Sequence, residues 1–188
     1  MSVLIRGAFA LAGFLAVAPS VQAFDPDTSP VAAQGTLQVA FAPWDDIESV
    51  IVDAIDAAKT QVLVQAYLLT NRKIAATLIA AHRRGVDVQV LADAEQHART
   101  GSSKLTELAA AGITVRLETK YQNAHNKVIV IDAATSDATL ITGSFNFTWT
   151  AQHKNAENIL VVRKNPQLAS RYKLNWERHR QDASPYKK

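Results

Sequence analysis

The chain has 188 residues, 48% of them apolar and 20% charged, enough apolar material for one globular domain with a buried core. It contains no cysteine, which excludes a disulfide framework and thiolate chemistry. A formal net charge of +3 permits a polyanionic partner without requiring one.

Residues 1–23 hold one basic residue, Arg6, an apolar run from Ala8 to Val17, then Pro19 and the small-x-small tripeptide Val21-Gln22-Ala23. The run is shorter than the roughly 20 residues that a spanning helix needs. The pattern therefore predicts a cleaved signal peptide and a secreted or periplasmic protein, rather than a membrane anchor. Residues 24–35 (FDPDTSPVAAQG) are rich in Pro, Asp and small side chains and predict a flexible arm.

From Thr36, TLQVAF predicts a short strand. Ile47, Val50, Ile51, Ala54, Ile55 and Ala58 then recur at helical spacing, with Asp45 or Asp46 as N-cap. Residues 61–67 (QVLVQAY) read as a buried strand and residues 71–84 as a helix stopped by Gly85. VDVQVLAD predicts a strand, SSKLTELAAAG a short helix ending at Gly112, and ITVRLE a fourth strand. This alternation is that of a largely parallel sheet covered on both faces. The character then changes: HNKVIVID, ATLITGS and AENILVVR are three close strand-like runs, with no helix evident before the last one. A final helix opens at Asn165-Pro166 and carries Leu168, Tyr172 and Trp176 on one face.

The chemistry concentrates in residues 125–148. Residues two apart on a strand share a face, so His125 pairs with Lys127, and Ser144 with Asn146 if strand geometry persists. Lys127 offers a fixed positive charge, and Ser144 and Asn146 offer neutral donors, a set suited to phosphoryl oxygens. That leaves an imidazole, His125, for nucleophilic or acid–base work. A metal site is disfavoured, because an ammonium beside the imidazole repels a divalent cation and no carboxylate cluster compensates. An H-x-K alone is more often a solvated strand edge than a site. Asp132 and the GSxN run shift that balance.

His125-x-Lys127-x4-Asp132 followed by Gly143-Ser144-x-Asn146 resembles the HKD signature of the phospholipase D superfamily. Lys154-Asn155-Ala156-Glu157-Asn158 is similar to the downstream segment of its small, single-motif endonucleases. The resemblance covers most of Thr36 to Arg180. It implies a single catalytic domain over residues 36–182, a phospholipase D-like α/β fold and a phosphodiester hydrolase without cofactor or metal. His125 would attack phosphorus and form a phosphohistidine, Lys127 and Asn146 would hold the nonbridging oxygens with help from Ser144, and Glu157 would orient the imidazole. Asp132 and Gly143 are assigned structural roles. Ten residues separate these two, more than is usual in the family, and predict a longer hairpin loop.

The motif occurs once. A lone histidine committed to phosphorus cannot also protonate the leaving alkoxide. The expectation is therefore a homodimer whose composite cleft joins two His125 residues across a twofold axis. A nucleic acid is the leading substrate and a phospholipid such as phosphatidylcholine the nearest alternative. A catalytically inactive binding module of the same fold is a second alternative, against which the intact His125, Lys127, Asn146 and Glu157 argue. Asn146-Phe147-Thr148 also forms a glycosylation sequon, incidental if Asn146 serves the site. His82, His97, His153 and His179 read as surface or capping histidines, with His97 and Arg99 placed to rim the cleft. Phe145, Phe147 and Trp149 alternate past the motif as core or as a stacking lip.

Overall fold

The computed structural model describes residues 28–187. The expected signal peptide and the first part of the arm lie outside them. Residues 28–34 have neither helix nor strand, although the Asn165 side chain donates to the Ala32 carbonyl at 3.1 Å.

In chain order the elements are β1 (Thr36–Ala42), α1 (Ile47–Asp56), β2 (Gln61–Ala66), α2 (Arg72–Arg83), β3 (Asp87–Asp93), α3 (Ala94–Arg99) and α4 (Leu105–Ala110). They continue with β4 (Thr114–Glu118), β5 (Lys127–Ile131), β6 (Thr139–Gly143), α5 (Trp149–His153), β7 (Glu157–Arg163), α6 (Pro166–Asp182) and β8 (Ser184–Pro185). Short polar side chains start the helices by accepting from backbone N–H groups one turn on. Asp46 accepts from Ser49, Asn71 from Ile74, Thr148 from Ala151 and Asn165 from Leu168. Gly85 and Gly112 stop α2 and α4 in the left-handed region, at φ 91° and 92°. The short helices α3 and α5 and the last strand, β8, have too little periodicity to be read from the sequence. The sheet therefore runs past residue 182.

One eight-stranded sheet has the order β1-β7-β6-β5-β2-β3-β4-β8. Only β2–β3 and β3–β4 are parallel; the remaining pairs are antiparallel. The expected parallel character is thus confined to the first half, where helices carry the chain back to the starting end. No helix lies in residues 119–126, so the chain enters β5 at the end where β4 left off and runs against β2.

Alternation sorts the strand residues into two cores. Val62, Val64, Val88, Val90, Ile129 and Ile131 face α1, α2 and α4. Leu63, Leu91, Val128, Val130, Leu140 and Val162 face α6 through Ala169 and Trp176. The buried Trp176 indole donates to the Val64 carbonyl at 3.0 Å, anchoring α6 over the sheet centre. At the edge, β1 pairs only with β7 and exposes Leu37, Val39 and Phe41.

Candidate active site

Strands β2, β3, β4 and β6 end, and β5 and β7 begin, at one edge of the sheet. This carboxyl edge of the parallel strands is where open α/β sheets place ligands. Lys127 opens β5 here, opposite Ala66 at the end of β2. Its side chain is buried (6% exposed), while His125, two residues earlier, is exposed. The Lys127 Nζ lies 2.9 Å from His125 Nδ1 and donates to the His125 carbonyl at 2.8 Å. Burial pushes the Lys127 ammonium down from its usual 10.5 to about 8, with the Glu157 charge opposing the shift.

Two side chains that brace this pair carry no local signal in the sequence. Tyr67, just past β2, sets its ring 4.3 Å from the His125 imidazole and 4.8 Å from Lys127 Nζ. Its backbone N–H donates to the Asn126 carbonyl at 2.9 Å. Only the β2–β5 pairing brings Tyr67 there. Asp93, buried at the end of β3, caps α3 and accepts from the Ala124 N–H at 2.7 Å, fixing the segment that delivers His125.

The GSxN run follows β6. A Cβ on Gly143 would fall 2.3 Å from the Asn158 carbonyl oxygen, so this strand pair closes only around glycine. The Ser144 hydroxyl donates to Glu157 Oε2 at 2.5 Å and accepts from the Asn158 N–H at 3.1 Å. The other Glu157 oxygen accepts from Asn155 Nδ2 at 2.9 Å. The structure thus ties Glu157 to Ser144 and Asn155, not to the imidazole as the resemblance implied. For Ser144 to donate to a phosphate it would have to release Glu157. Asn146 sits between Phe145 and Phe147, which are buried at 1% and 2% exposure. Its Oδ1 is a buried acceptor without a hydrogen-bond partner among the described residues.

Asp132 belongs to the opposite edge. It follows β5 with φ 50°, and its carboxylate accepts from the N–H groups of Lys59, Thr60 and Gln61 and from the Thr60 hydroxyl at 2.7–2.9 Å. Burial works against its charge, yet those four donors hold its carboxyl below the usual range. The long hairpin, residues 132–138, is at that same edge, so its length does not reach His125. His179, read as a surface histidine, instead bonds the buried Glu118 at 2.5 Å and stacks with Tyr121. His97 bonds the Ser103 hydroxyl at 2.8 Å, and burial lowers its pKa. Among the described residues no group of three or more His, Asp or Glu side chains is placed to hold a metal ion.

An exposed imidazole in contact with a buried ammonium, with the GSxN run and the Glu157 carboxylate at the same carboxyl edge of a mixed α/β sheet, fits an enzyme of the phosphodiester hydrolase class. A family described as cardiolipin synthase, PLD-like domain, matches residues 51–180. The chain therefore belongs to the phospholipase D superfamily. Phospholipase D of Rickettsia bellii is 38% identical over 144 residues, covering 77% of this chain and 69% of that protein. Mitochondrial cardiolipin hydrolase of Danio rerio is 30% identical over 119 residues, covering 63% of this chain and half of that protein. Among solved structures, the phospholipase D family member Nuc from Salmonella typhimurium superposes with a TM-score of 0.74 at 33% identity. That match covers 81% of this chain and 99% of that one.

Proposed function

We propose that the protein is a metal-independent phosphodiesterase that works through a covalent phosphohistidine, exported to the periplasm or medium, with nucleic acid as substrate. The observation that carries the chemistry is the His125–Lys127 pair, a buried charge fixed beside an exposed nucleophile. A His125 ring nitrogen attacks phosphorus while Lys127 and Asn146 hold the nonbridging oxygens. The bond from phosphorus to the leaving oxygen breaks, and that oxygen takes a proton from a second His125. Water then attacks phosphorus, gives its proton back to the second imidazole, and releases the first one.

The second imidazole comes from a second subunit. Both imidazole roles need the histidine of a motif that occurs once per chain, and the exposed Leu37, Val39 and Phe41 of β1 supply apolar surface for a twofold contact. β1 ends against Glu157, so this strip reaches the site itself.

Phospholipid hydrolysis is the second reading, supported by the Rickettsia relatives named phospholipase D. Against a nucleic-acid substrate alone, His125, Lys127 and Asn146 would accept either diester. Mature protein assayed side by side on single-stranded DNA, duplex DNA, RNA and phosphatidylcholine separates the readings, with EDTA present throughout. Cleavage of nucleic acid in EDTA is the expected result. Loss of all activity that magnesium restores would reject the metal-free chemistry, and turnover of phosphatidylcholine alone would reject the nuclease.

A further inference from the structure

Three aromatic residues alternate after the GSxN serine, and the structure treats them differently. Phe145 and Phe147 are core, but Trp149, three residues beyond Asn146, keeps 56% of its surface exposed. Its indole is braced from its own end of the chain. The His153 ring lies 4.6 Å away at 39°, and Lys154 Nζ is 5.9 Å from the ring centre. Holding an exposed indole this way prepays the ordering that a ligand would otherwise have to impose.

Trp149 and His153 also line a groove of about 510 Å³ whose other wall is the start of α2, with Thr70, Asn71, Arg72 and Lys73. Arg72 and Lys73 line the groove with the buried Glu48, whose carboxylate is already engaged by Asn71 and Lys73, and the charges of Lys73 and His153 help hold the Asp46 carboxyl below its usual range. A short stretch of backbone links the groove to the site. The Phe147 carbonyl accepts from Thr70 and Asn71 at 3.0 Å, and Tyr67, three residues before Thr70, touches His125. Three residues span at most about 10 Å.

We propose that Trp149, braced by His153 and Lys154 beside this groove, is a base-stacking subsite for single-stranded nucleic acid leaving the His125 site. The inference rests on the nuclease reading and extends it to strandedness. A flat, exposed π-face flanked by cations takes any unpaired base, and the cations take the backbone beside it. Bases in a duplex are already stacked. A bilayer would require an apolar cluster where this groove is lined by charged and polar side chains.

The test compares wild type, Trp149→Ala, Trp149→Phe and Leu174→Ala, the last removing an equally exposed apolar side chain on α6. Each is assayed on a single-stranded oligonucleotide, on bis(p-nitrophenyl) phosphate, and for binding to phosphatidylcholine vesicles. Trp149→Ala is expected to raise KM for the oligonucleotide about ten- to hundredfold. That rise should exceed any change on the small diester at least about tenfold. Trp149→Phe should recover most of it, and Leu174→Ala should not show it. An unchanged oligonucleotide KM, an equal loss on both diesters, or a loss confined to vesicle binding overturns the subsite. If wild type cleaves phosphatidylcholine and no oligonucleotide, the nuclease reading itself has failed. If it cleaves the oligonucleotide regardless of Trp149, only the subsite has.

Discussion

Lys127→Met separates what the site needs from what the fold prefers. Lys127 is 6% exposed, and its ammonium titrates at about 8 where an exposed lysine titrates at 10.5. One pKa unit corresponds to about 1.4 kcal/mol, so keeping this charge at neutral pH costs the folded state about 3 kcal/mol. The sign follows from linkage. Between about pH 8 and 10.5 the unfolded lysine is protonated and the folded one is not, so wild-type stability rises with pH across that window. Methionine has similar length and no charge, and the His125 carbonyl it leaves behind belongs to an exposed residue that water can serve. The variant is expected to be up to about 3 kcal/mol more stable at pH 7, and the gain should vanish by about pH 10.5. It should also lose about a hundred- to a thousandfold in kcat/KM, as removal of one transition-state donor does. Urea unfolding at pH 7 and pH 10.5, at fixed protein concentration, measures the first effect, and diester hydrolysis measures the second. A variant less stable than wild type at pH 7, or a stability difference that ignores pH, refutes the reasoning.

The other predictions concern each remaining part of the site and its scaffold. Asp132→Asn tolerates the positive φ but loses the charge that four donors hold. It should cost about 1–3 kcal/mol in urea unfolding at pH 7 while kcat stays near wild type below the melting temperature. Because the Asp132 carboxyl is held low, its contribution is present above the ordinary carboxylate range and lost as pH falls through its folded value, so the variant's acid-side decline should be shallower. Tyr67→Leu should lower kcat/KM roughly tenfold by releasing Lys127 and the imidazole, with a displaced pH profile. Tyr67→Phe should stay within about twofold, since among the described residues the hydroxyl donates to Asn123 alone, at 3.3 Å. His125→Ala should abolish turnover with an unchanged circular dichroism spectrum, and near-normal rates would move the nucleophile elsewhere. Sedimentation at assay concentration should show a dimer, which a fully active monomer would contradict.

Much of this protein is written in local pattern. The 3.6-residue period of α1, α2 and α6, the Gly85 stop of α2, the Asn165-Pro166 start of α6 and the apolar strand runs are properties of neighbouring residues, and they were legible for that reason. The family motif was legible too, because His125, Lys127, Ser144 and Asn146 lie within two short runs whose order and spacing are distinctive. What those residues touch was not. Residues 119–126 turn β5 against β2, and that pairing alone sets Tyr67 against His125 and buries Lys127 deeply enough to depress its charge. The β6–β7 register assigns Glu157 to Ser144, and the length of β5 sends Asp132 and its long hairpin to the far edge. Composition and period are summed over neighbours along the chain, whereas burial, register and partner are set by residues dozens of positions apart. The family and the candidate groups could therefore be named from the sequence, and the surroundings that set the energetics of those groups only from the fold.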